Sequence, residues 1–423
     1  MRRTNKHLPL TAGDQDKQQE NDMVNVQQIG EDTYWAGSSD RRLSRFENLF
    51  PLPHGVSYNC YLIRDEKTAL LDTADVTVKS QFMENIVAAL QGRKLDYLVL
   101  HHVEPDHCSQ VQAVLDVYPD VTLVGNEKTF RILDQFFTGT KNCAKKTVAD
   151  GDVLELGKHK LQFVLTPMLH WPETMMSFDA VTGAIFSGDV FGTFGAVDTG
   201  IFADECDFKT VFLDDSRRYY ANIVGKYGVQ AQAGLKKTAG LDIRMICPLH
   251  GPVWRSNIDW ILQKYQKWTT WTPEEEGYTI VYGSMYGHTA SAAEAAAAYI
   301  QKKSGKPVRV YDVSETHTSY LISEIWRFSR VLLFCPTYNG GIYPEMEALV
   351  RDIIALGVQN RIFGLAENGS WAPQAGKKIQ KELEALKNCK VAEDILSFKG
   401  ALHEADEERM QAWADAVMSA TLS

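Results

Sequence analysis

The chain has 423 residues, with 44 basic and 54 acidic side chains and a formal net charge of −10. This length accommodates two or three domains with ample cores, and the acidic balance argues against nucleic acid or an anionic membrane as partner. No apolar run approaches the ~18 residues of a membrane span. The seven cysteines are scattered and form no Cys-x-x-Cys pair. We therefore expect a cytoplasmic protein with reduced thiols and no rubredoxin-type iron centre within this chain.

Residues 1–22 are polar and charged, lack the apolar core of a signal peptide and precede a second methionine, Met23. We interpret them as a disordered extension, a segment added for expression or the product of an upstream start, and exclude them from the predicted fold.

Residues 23–271 are predicted to form one domain of short strands with helices between them. Pairs of apolar segments separated by Gly, Asp or charged residues predict antiparallel hairpins. The predicted pairs are Tyr58–Ile63 with Thr68–Asp72, Thr147–Leu156 with Lys160–Leu165, and Met175–Phe178 with Ala184–Ser187.

The most informative feature of this domain is a set of seven candidate metal ligands. They are His102, Glu104, Asp106, His107, His170, Asp189 and His250. The first four follow Leu95–Leu100, a predicted buried strand, and a loop at the end of a rigid sheet is a usual place for a metal site. Single metal ions in proteins take about four to six ligands. Seven donors therefore predict two metals that share a bridging ligand.

The donor types narrow the choice of metal. Imidazole and carboxylate without thiolate suit iron, manganese or zinc and argue against copper(I) or an iron–sulfur cluster. The loop supplies each of two ions with one imidazole and one carboxylate, so that His170 and His250 can complete the two positions symmetrically. Asp189, with two carboxylate oxygens, is the natural bridge.

Residues 272–277 are predicted to be an exposed linker, because Pro273 ends the preceding helix and the acidic triplet Glu274–Glu276 favours solvent. Residues 278–423 are predicted to form a second domain. About five strands alternate with helices there, which is typical of a doubly wound parallel sheet.

The first strand of this second domain, Tyr278–Tyr282, leads into the loop Gly283–Thr289 and then an Ala-rich helix. Free N–H groups and the helix dipole at such a position favour a phosphate. The loop resembles the flavodoxin loop that binds the phosphate of FMN.

Two further loops follow the predicted strands Arg330–Cys335 and Arg361–Ala366. In an open parallel sheet, ligands bind at the carboxyl ends of the strands, where aromatic side chains can stack on a flavin. The predicted FMN contacts are Ser284, Met285, Tyr286, Gly287, His288, Thr289, Pro336, Thr337, Tyr338, Asn339, Gly340, Gly341, Asn368, Gly369, Ser370 and Trp371.

The loop His-x-Glu-x-Asp-His resembles the metallo-β-lactamase superfamily loop His-x-His-x-Asp-His, with Glu104 at the second His. Residues 24–423 resemble the flavodiiron proteins. The resemblance rests on this replacement and on the segments Leu165–Met175, Phe186–Asp189 and Pro248–Pro252. The resemblance implies an N-terminal metallo-β-lactamase-like αββα sandwich and a C-terminal flavodoxin-like doubly wound sheet. It also implies two non-haem irons per chain. One would be held by His102, Glu104 and His170, the other by Asp106, His107 and His250, with Asp189 bridging.

The resemblance further implies a cytosolic oxidoreductase that reduces O2 to water, NO to N2O, or both. Electrons would come from a separate rubredoxin and pass through FMN to the diiron site. Two chains would pack head to tail as a homodimer, so that the FMN of one faces the irons of the other. Two interpretations stay open for His54 and Trp171: groups near the metals that support the ligands, or ordinary packing residues.

Two other interpretations stay open from the sequence. The main alternative is a dizinc hydrolase of the metallo-β-lactamase superfamily with an appended flavodoxin-like domain, against which Glu104 argues because a dizinc hydrolase would prefer His there. A third interpretation is a flavin-binding electron carrier whose metal site is only structural. Seven ligands exceed what a closed structural site needs.

Overall fold

The computed structural model describes residues 25–197, 200–392 and 394–422. The predicted N-terminal extension, residues 1–22, lies outside the described residues. Within these ranges, none of the helices has the length and apolarity that a bilayer crossing requires.

The N-terminal half of the chain consists of short strands and helices in mixed order. Its strands are β1 (Gln27–Gly30), β2 (Thr33–Trp35), β3 (Ser38–Asp40), β4 (Arg45–Phe46), β5 (Phe50–Pro51), β6 (Val56–Tyr58), β7 (Tyr61–Arg64), β8 (Thr68–Leu71), β9 (Tyr97–Val99), β10 (Thr122–Gly125), β11 (Lys145–Thr147), β12 (Val153–Glu155), β13 (Lys160–Leu165), β14 (Met175–Asp179), β15 (Ala184–Phe186) and β16 (Met245–Cys247). Its helices are α1 (Lys79–Leu90), α2 (Pro105–Cys108), α3 (Val111–Val117), α4 (Glu127–Phe136), α5 (Phe208–Val211), α6 (Leu213–Tyr219), α7 (Gly228–Thr238) and α8 (Ile258–Thr269).

Two sheets face each other in this half. The first is seven-stranded, in the order β1-β2-β7-β8-β9-β10-β11, and the second is five-stranded, in the order β12-β13-β14-β15-β16. Alternation of side chains along each strand buries both faces of the first sheet. Leu62 and Leu70 share a core with Ile86 of α1, whereas Leu71 shares a second core with Phe163 of β13. The layers are therefore the αββα sandwich that the resemblance implies.

One predicted hairpin is wrong in part. The segment Thr147–Leu156 is not one strand, because β11 pairs with β10 in the first sheet while β12 pairs with β13 in the second. The break falls at Gly151, which has a φ of +86°. That left-handed conformation favours glycine and turns the chain from one sheet to the other.

The C-terminal half is a parallel α/β domain. Its strands are β17 (Glu275–Tyr282), β18 (Val308–Asp312), β19 (Phe328–Pro336), β20 (Ile362–Asn368), β21 (Lys390–Val391) and β22 (Leu396–Phe398), and its helices are α9 (His288–Ser304), α10 (Thr318–Arg327), α11 (Pro344–Ala355), α12 (Ala375–Leu383) and α13 (Glu407–Ser419). The order is β18-β17-β19-β20, and both β21 and β22 pair with β20. Every pairing in this sheet is parallel, as the doubly wound pattern predicts.

The segment predicted to be an exposed linker is folded and partly buried. Strand β17 already begins at Glu275, and Glu274 is only 8% exposed. The Glu274 carboxylate forms ion pairs with Arg217 of α6 and, at 2.7 Å, with Lys264 of α8. The prediction that the acidic triplet is solvated is therefore wrong for Glu274, because this carboxylate is buried and paired with Arg217 and Lys264 of the first domain.

This buried carboxylate gives a testable pH dependence. Burial alone would raise the pKa of Glu274, but Arg217 and Lys264 lower it from 4.5 to about 2. A carboxyl group whose folded-state pKa is depressed stabilises the fold above its unfolded pKa and loses that contribution as the pH falls towards the folded value. Glu274→Gln should therefore lower the free energy of unfolding by about 3–5 kcal/mol at neutral pH. The deficit should shrink as the pH falls from about 4.5 to about 2 in urea titrations.

The matched control is Glu276→Gln, two residues further on, in β17. Glu276 pairs with Lys306 at 3.0 Å, but its side chain is 70% exposed. Exposed pairs of this kind contribute little, so this variant should unfold like the wild type. An equal loss in both variants would contradict the role of the buried pair.

Candidate metal centre and flavin cavity

The seven candidate ligands come together where strands of both sheets end. They are His102 and Glu104 in the loop after β9, Asp106 and His107 on α2, His170 after β13, Asp189 after β15, and His250 after β16. The side chains form two groups, and within each group the ligand atoms lie within 4.8 Å of one another. The groups are His102, Glu104, His170 and Asp189, and Asp106, His107 and His250.

Asp189 lies between the two groups. Its Oδ2 is 3.3 Å from Nε2 of His102 and 3.3 Å from Nε2 of His170. Its Oδ1 is 3.4 Å from Nε2 of His107 and 3.7 Å from Nε2 of His250. Each carboxylate oxygen therefore faces a different pair of histidines, which is the geometry that a bridging ligand requires.

Local backbone features set the ligand positions. Pro105 occupies the first turn of α2 after an extended Glu104, where proline loses no helical hydrogen bond. Gly251 follows His250 with a φ of +77°, and a Cβ there would lie 2.1 Å from the methyl group of Thr193. Only glycine is accommodated at this position, so the turn after β16 holds the His250 imidazole in the site.

Several ligand atoms are buried without a hydrogen-bond partner among the described residues. They are both carboxylate oxygens of Asp106, both of Asp189, and Nδ1 of His107. A buried carboxylate without a partner is costly. Two divalent cations would satisfy the four carboxylate oxygens, and a set of imidazoles and carboxylates suits non-haem iron. The residues present therefore fit a dinuclear metal centre.

The ligands also perturb one another electrostatically. Burial alone would lower the pKa of His170, but Asp189 and Glu104 raise it to about 9. Burial would raise the pKa of Asp189, yet His102 and His107 hold it well below its usual value. The Asp189 carboxylate and the His170 imidazole thus favour each other's charged forms. A metal ion would compete with the proton for the His170 imidazole.

Sequence reasoning missed the groups that hold the imidazoles from behind. Glu173 Oε1 accepts a hydrogen bond from Nδ1 of His102 at 2.7 Å, and the backbone carbonyl of Ser57 accepts one from Nδ1 of His250 at 2.7 Å. Such partners orient metal-binding histidines. A sequence signal existed for Glu173 alone, which follows His170 by three residues.

Aromatic rings enclose the cluster. The ring of Trp171 lies 5.3 Å from that of His102, and the rings of Phe46 and Tyr219 lie 5.3 and 5.4 Å from that of His250. They form an apolar wall that strengthens electrostatic interactions within the site.

Trp171 is thus adjacent to the metal ligands, whereas His54 does not join the cluster. The side chain of His54 is 72% exposed, and its Nδ1 lies 3.4 Å from Asp215. The expectation that His54 supports the metal ligands has no support in this geometry.

The second site is a cavity of about 510 Å³ at the carboxyl ends of the parallel strands. All the predicted FMN contacts line it except Gly287 and Gly341. The lining also includes Ala372, Gln374 and Gly400, which sequence reasoning missed. Gly400 follows β22, so the available signal was a glycine just after an apolar strand, as in the other loops. A cavity of this size beside a helix N-terminus fits a phosphate-bearing ligand.

The loop between β17 and α9 is shaped by its own hydrogen bonds. Ser284 Oγ accepts from the backbone N–H groups of Gly287 at 3.1 Å and Ala290 at 3.3 Å. Gly287 has a φ of +89° and precedes the first residue of α9. Its role is to turn the chain into the helix. The Thr289 hydroxyl, in the first turn of α9, accepts from Asn368 Nδ2 at 3.1 Å, which links two of the cavity loops.

Comparison with known proteins agrees with both sites. A family model described as ODP family beta lactamase matches residues 56–251, and one described as Flavodoxin matches residues 280–413. The chain is 31% identical over 371 residues to an uncharacterized protein of Methanocaldococcus jannaschii, covering 87% of this chain and 92% of that protein. It is also 31% identical over 355 residues to the anaerobic nitric oxide reductase flavorubredoxin of Aliivibrio salmonicida, covering 82% of this chain and 70% of the relative.

Solved structures share the fold over nearly the whole chain. The rubredoxin oxygen:oxidoreductase of Desulfovibrio gigas superposes with a TM-score of 0.85 at 28% identity, covering 93% of this chain and 97% of that one. The flavodiiron protein of Giardia intestinalis superposes with a TM-score of 0.87 at 24% identity, covering 95% and 98% of the two chains.

The fold and the two sites together define a two-domain flavoprotein, in which a β-lactamase-like metal domain precedes a flavodoxin-like domain. This chain belongs to the flavodiiron protein family. It is therefore an oxidoreductase of the flavodiiron type, with FMN and a non-haem diiron site as its cofactors. The family resemblance and the fold inferred from the sequence are confirmed.

Proposed function

We propose that this protein takes electrons from a rubredoxin-type donor, passes them through FMN to a diiron centre, and reduces O2 to water, NO to N2O, or both. The observation that carries the proposal is the position of Asp189, whose two oxygens face two separate groups of ligands. When bound, FMN accepts electrons singly or in pairs and two ferrous ions deliver them together to a diatomic molecule.

We further propose how the seven side chains divide between two ions. The first metal position is formed by His102, Glu104 and His170, and the second metal position by Asp106, His107 and His250, with Asp189 shared. The division follows the two groups of ligand atoms. The task of these residues is to hold two cations in a fixed, desolvated place. The rings of Trp171, Phe46 and Tyr219 restrict water around them.

For FMN, we propose that the loop before α9 holds the phosphate and that the other two predicted loops hold the flavin ring. No lysine or arginine lines the cavity among the described residues, and His288 is the only potential cation there. Backbone N–H groups and the dipole of α9 would therefore supply the attraction for the phosphate. On this proposal, residues 23–271 form the diiron domain and residues 278–423 the FMN domain.

We propose a head-to-tail homodimer as the working unit. Tyr286 and Trp371 line the flavin cavity, yet their side chains are 88% and 89% exposed. Large exposed aromatic side chains beside a binding site are typical of surfaces that a partner covers. A second copy would place its metal centre against this face. We propose a rubredoxin as the external electron donor because the similar protein of D. gigas is named rubredoxin oxygen:oxidoreductase.

Metal and flavin analysis tests the cofactor assignment against the dizinc alternative. Protein purified after growth in iron-rich medium should contain about two irons and about one FMN per chain. The Glu104 carboxylate, a hard ligand, favours an ion that must reach the ferric state. Two tightly held zincs, with no reductase activity after iron loading, would instead support the hydrolase interpretation.

A further inference from the structure

The supports behind the two metal positions differ in charge. On the first position, the Glu173 carboxylate accepts the Nδ1 hydrogen bond of His102 at 2.7 Å, and both side chains are fully buried. On the second position, Nδ1 of His250 donates to the neutral carbonyl of Ser57. Nδ1 of His107 has no partner in the described part of the chain.

Glu173 is itself held in place. Its Oε1 also accepts the backbone N–H of Val103 at 3.1 Å, and its backbone carbonyl accepts Nδ2 of Asn126 at 2.5 Å. The second carboxylate oxygen, Oε2, is buried without a partner among the described residues. The carboxylate therefore has one oxygen fixed on the metal loop behind His102, while its second oxygen accepts no hydrogen bond from the described residues.

A carboxylate behind a ligand imidazole fixes the tautomer and orientation of the ring. It also makes the other ring nitrogen more basic and so a stronger ligand for a metal ion. The first metal position also has Glu104 beside His102 at 3.2 Å and His170 at 3.0 Å. Of the carboxylates that pair with the ligand imidazoles, Glu104 and Glu173 belong to the first position and Asp106 to the second. Asp189 is shared between them. The first position is the more negatively charged.

We propose that Glu173 is a positioning residue that makes the two metal positions unequal, so that the first holds its ion more tightly than the second. This inference rests on the proposed function, because it assumes two ions at the seven ligands. It predicts that metal is lost from the second position first. Iron-depleted protein would then retain one ion beside His102 and Glu104.

The test is a titration of metal-free, FMN-loaded full-length protein with cobalt(II), followed by visible absorption and calorimetry. The wild type should bind two ions in two separable steps. His250→Ala deletes the second position and should keep the tight step, whereas His170→Ala deletes a ligand of the first and should abolish it. This pair of variants assigns the steps to the positions.

Glu173→Gln separates the effect of the Glu173 charge from the effect of holding the His102 ring in its orientation. The Gln oxygen can still accept from His102 and Val103, and its amide group takes the place of the unpartnered Oε2. The tight step should weaken by about 10–100-fold and the weak step should persist. Glu173→Ala, which removes orientation as well, should weaken the tight step at least as much.

The matched control is Asp179→Asn. Asp179 is an equally buried carboxylate that pairs with a histidine outside the metal cluster, with Oδ2 3.0 Å from Nδ1 of His159. This variant should leave both steps unchanged, which separates a local effect on metal from general destabilisation. Circular dichroism and FMN content check folding in every variant.

Three results would overturn the inference. They are two unchanged steps in Glu173→Gln, an equal weakening of both steps, and a tight step that survives His170→Ala. In each of them, two ions would still bind to the wild type and the proposed function would stand. Failure of the wild type to bind two ions would instead contradict the proposed function, and the inference with it.

Discussion

Asp189→Ala should remove most of the iron from the metal centre and leave the flavin in place. Asp189 contacts all four histidines of the cluster, so its removal takes a ligand from both metal positions at once. Loss of a group that hydrogen-bonds a metal ligand typically lowers metal affinity about 10–100-fold. Loss of a ligand shared by both metal positions should lower it more. Iron content should fall from about two to below about one per chain, and reductase activity should be lost.

The FMN content of this variant should equal that of the wild type, because the flavin cavity is built entirely from residues after Gly283. Metal analysis, flavin absorbance and circular dichroism on the same sample make the comparison. Thr289→Asp is the reciprocal variant. It places a negative charge in the loop proposed to hold the FMN phosphate while favouring the N-terminus of α9, so flavin should be lost with the helix intact. An equal loss of iron and FMN in either variant would show that the two sites are not independent.

A mixed dimer of the two variants should recover activity that neither homodimer has. In a head-to-tail dimer, the subunit with intact FMN faces the intact irons of its partner, so one complete pair remains. Differently tagged chains, co-expressed and purified through both tags, should show about half the wild-type activity with a rubredoxin donor. If electrons pass within a chain, the mixed dimer contains no complete pair and stays inactive.

The wild-type dimer carrying the same two tags is the control for the tags. A second control is the mixed dimer of wild type with Asp189→Ala, which also contains one complete pair. The two mixed dimers should have equal activity. A monomeric protein in solution would contradict the dimer proposal before any activity is measured.

The sequence alone predicted several of the strands that present metal ligands, because these strands are short apolar segments. The predicted strand Leu95–Leu100 corresponds to β9, and the predicted pair Met175–Phe178 with Ala184–Ser187 corresponds to β14 and β15. Local signals of this kind depend on neighbours in sequence. They are sufficient to place a ligand at a strand end.

Contacts between distant segments were not predictable in the same way. Glu173 lies 71 residues from His102, and Ser57 lies 193 residues from His250. The acidic segment at Glu274 was predicted to be solvated because its composition favours solvent. Its burial depends on Arg217, 57 residues earlier.

In the flavin cavity too, local sequence signals were predictable and contacts between distant segments were not. Three of its loops were predicted because each follows an apolar strand and contains glycine or aromatic residues. The loop containing Gly400 was missed, since β22 spans only Leu396–Phe398. The amide of Asn368, 32 residues away, donates to the Gly400 carbonyl at 2.8 Å. That contact forms only once the strands are paired.

Anaerobic stopped-flow mixing of the fully reduced protein with O2 or with NO tests the central claim most directly. Flavin absorbance reports the passage of electrons out of FMN, and parallel electrodes report consumption of the gas. We predict that the wild type reoxidises its flavin rapidly with at least one of the two gases, and that Asp189→Ala does so far more slowly. Equal reoxidation rates in the two proteins, or no consumption of either gas by iron-loaded wild type, would contradict the account.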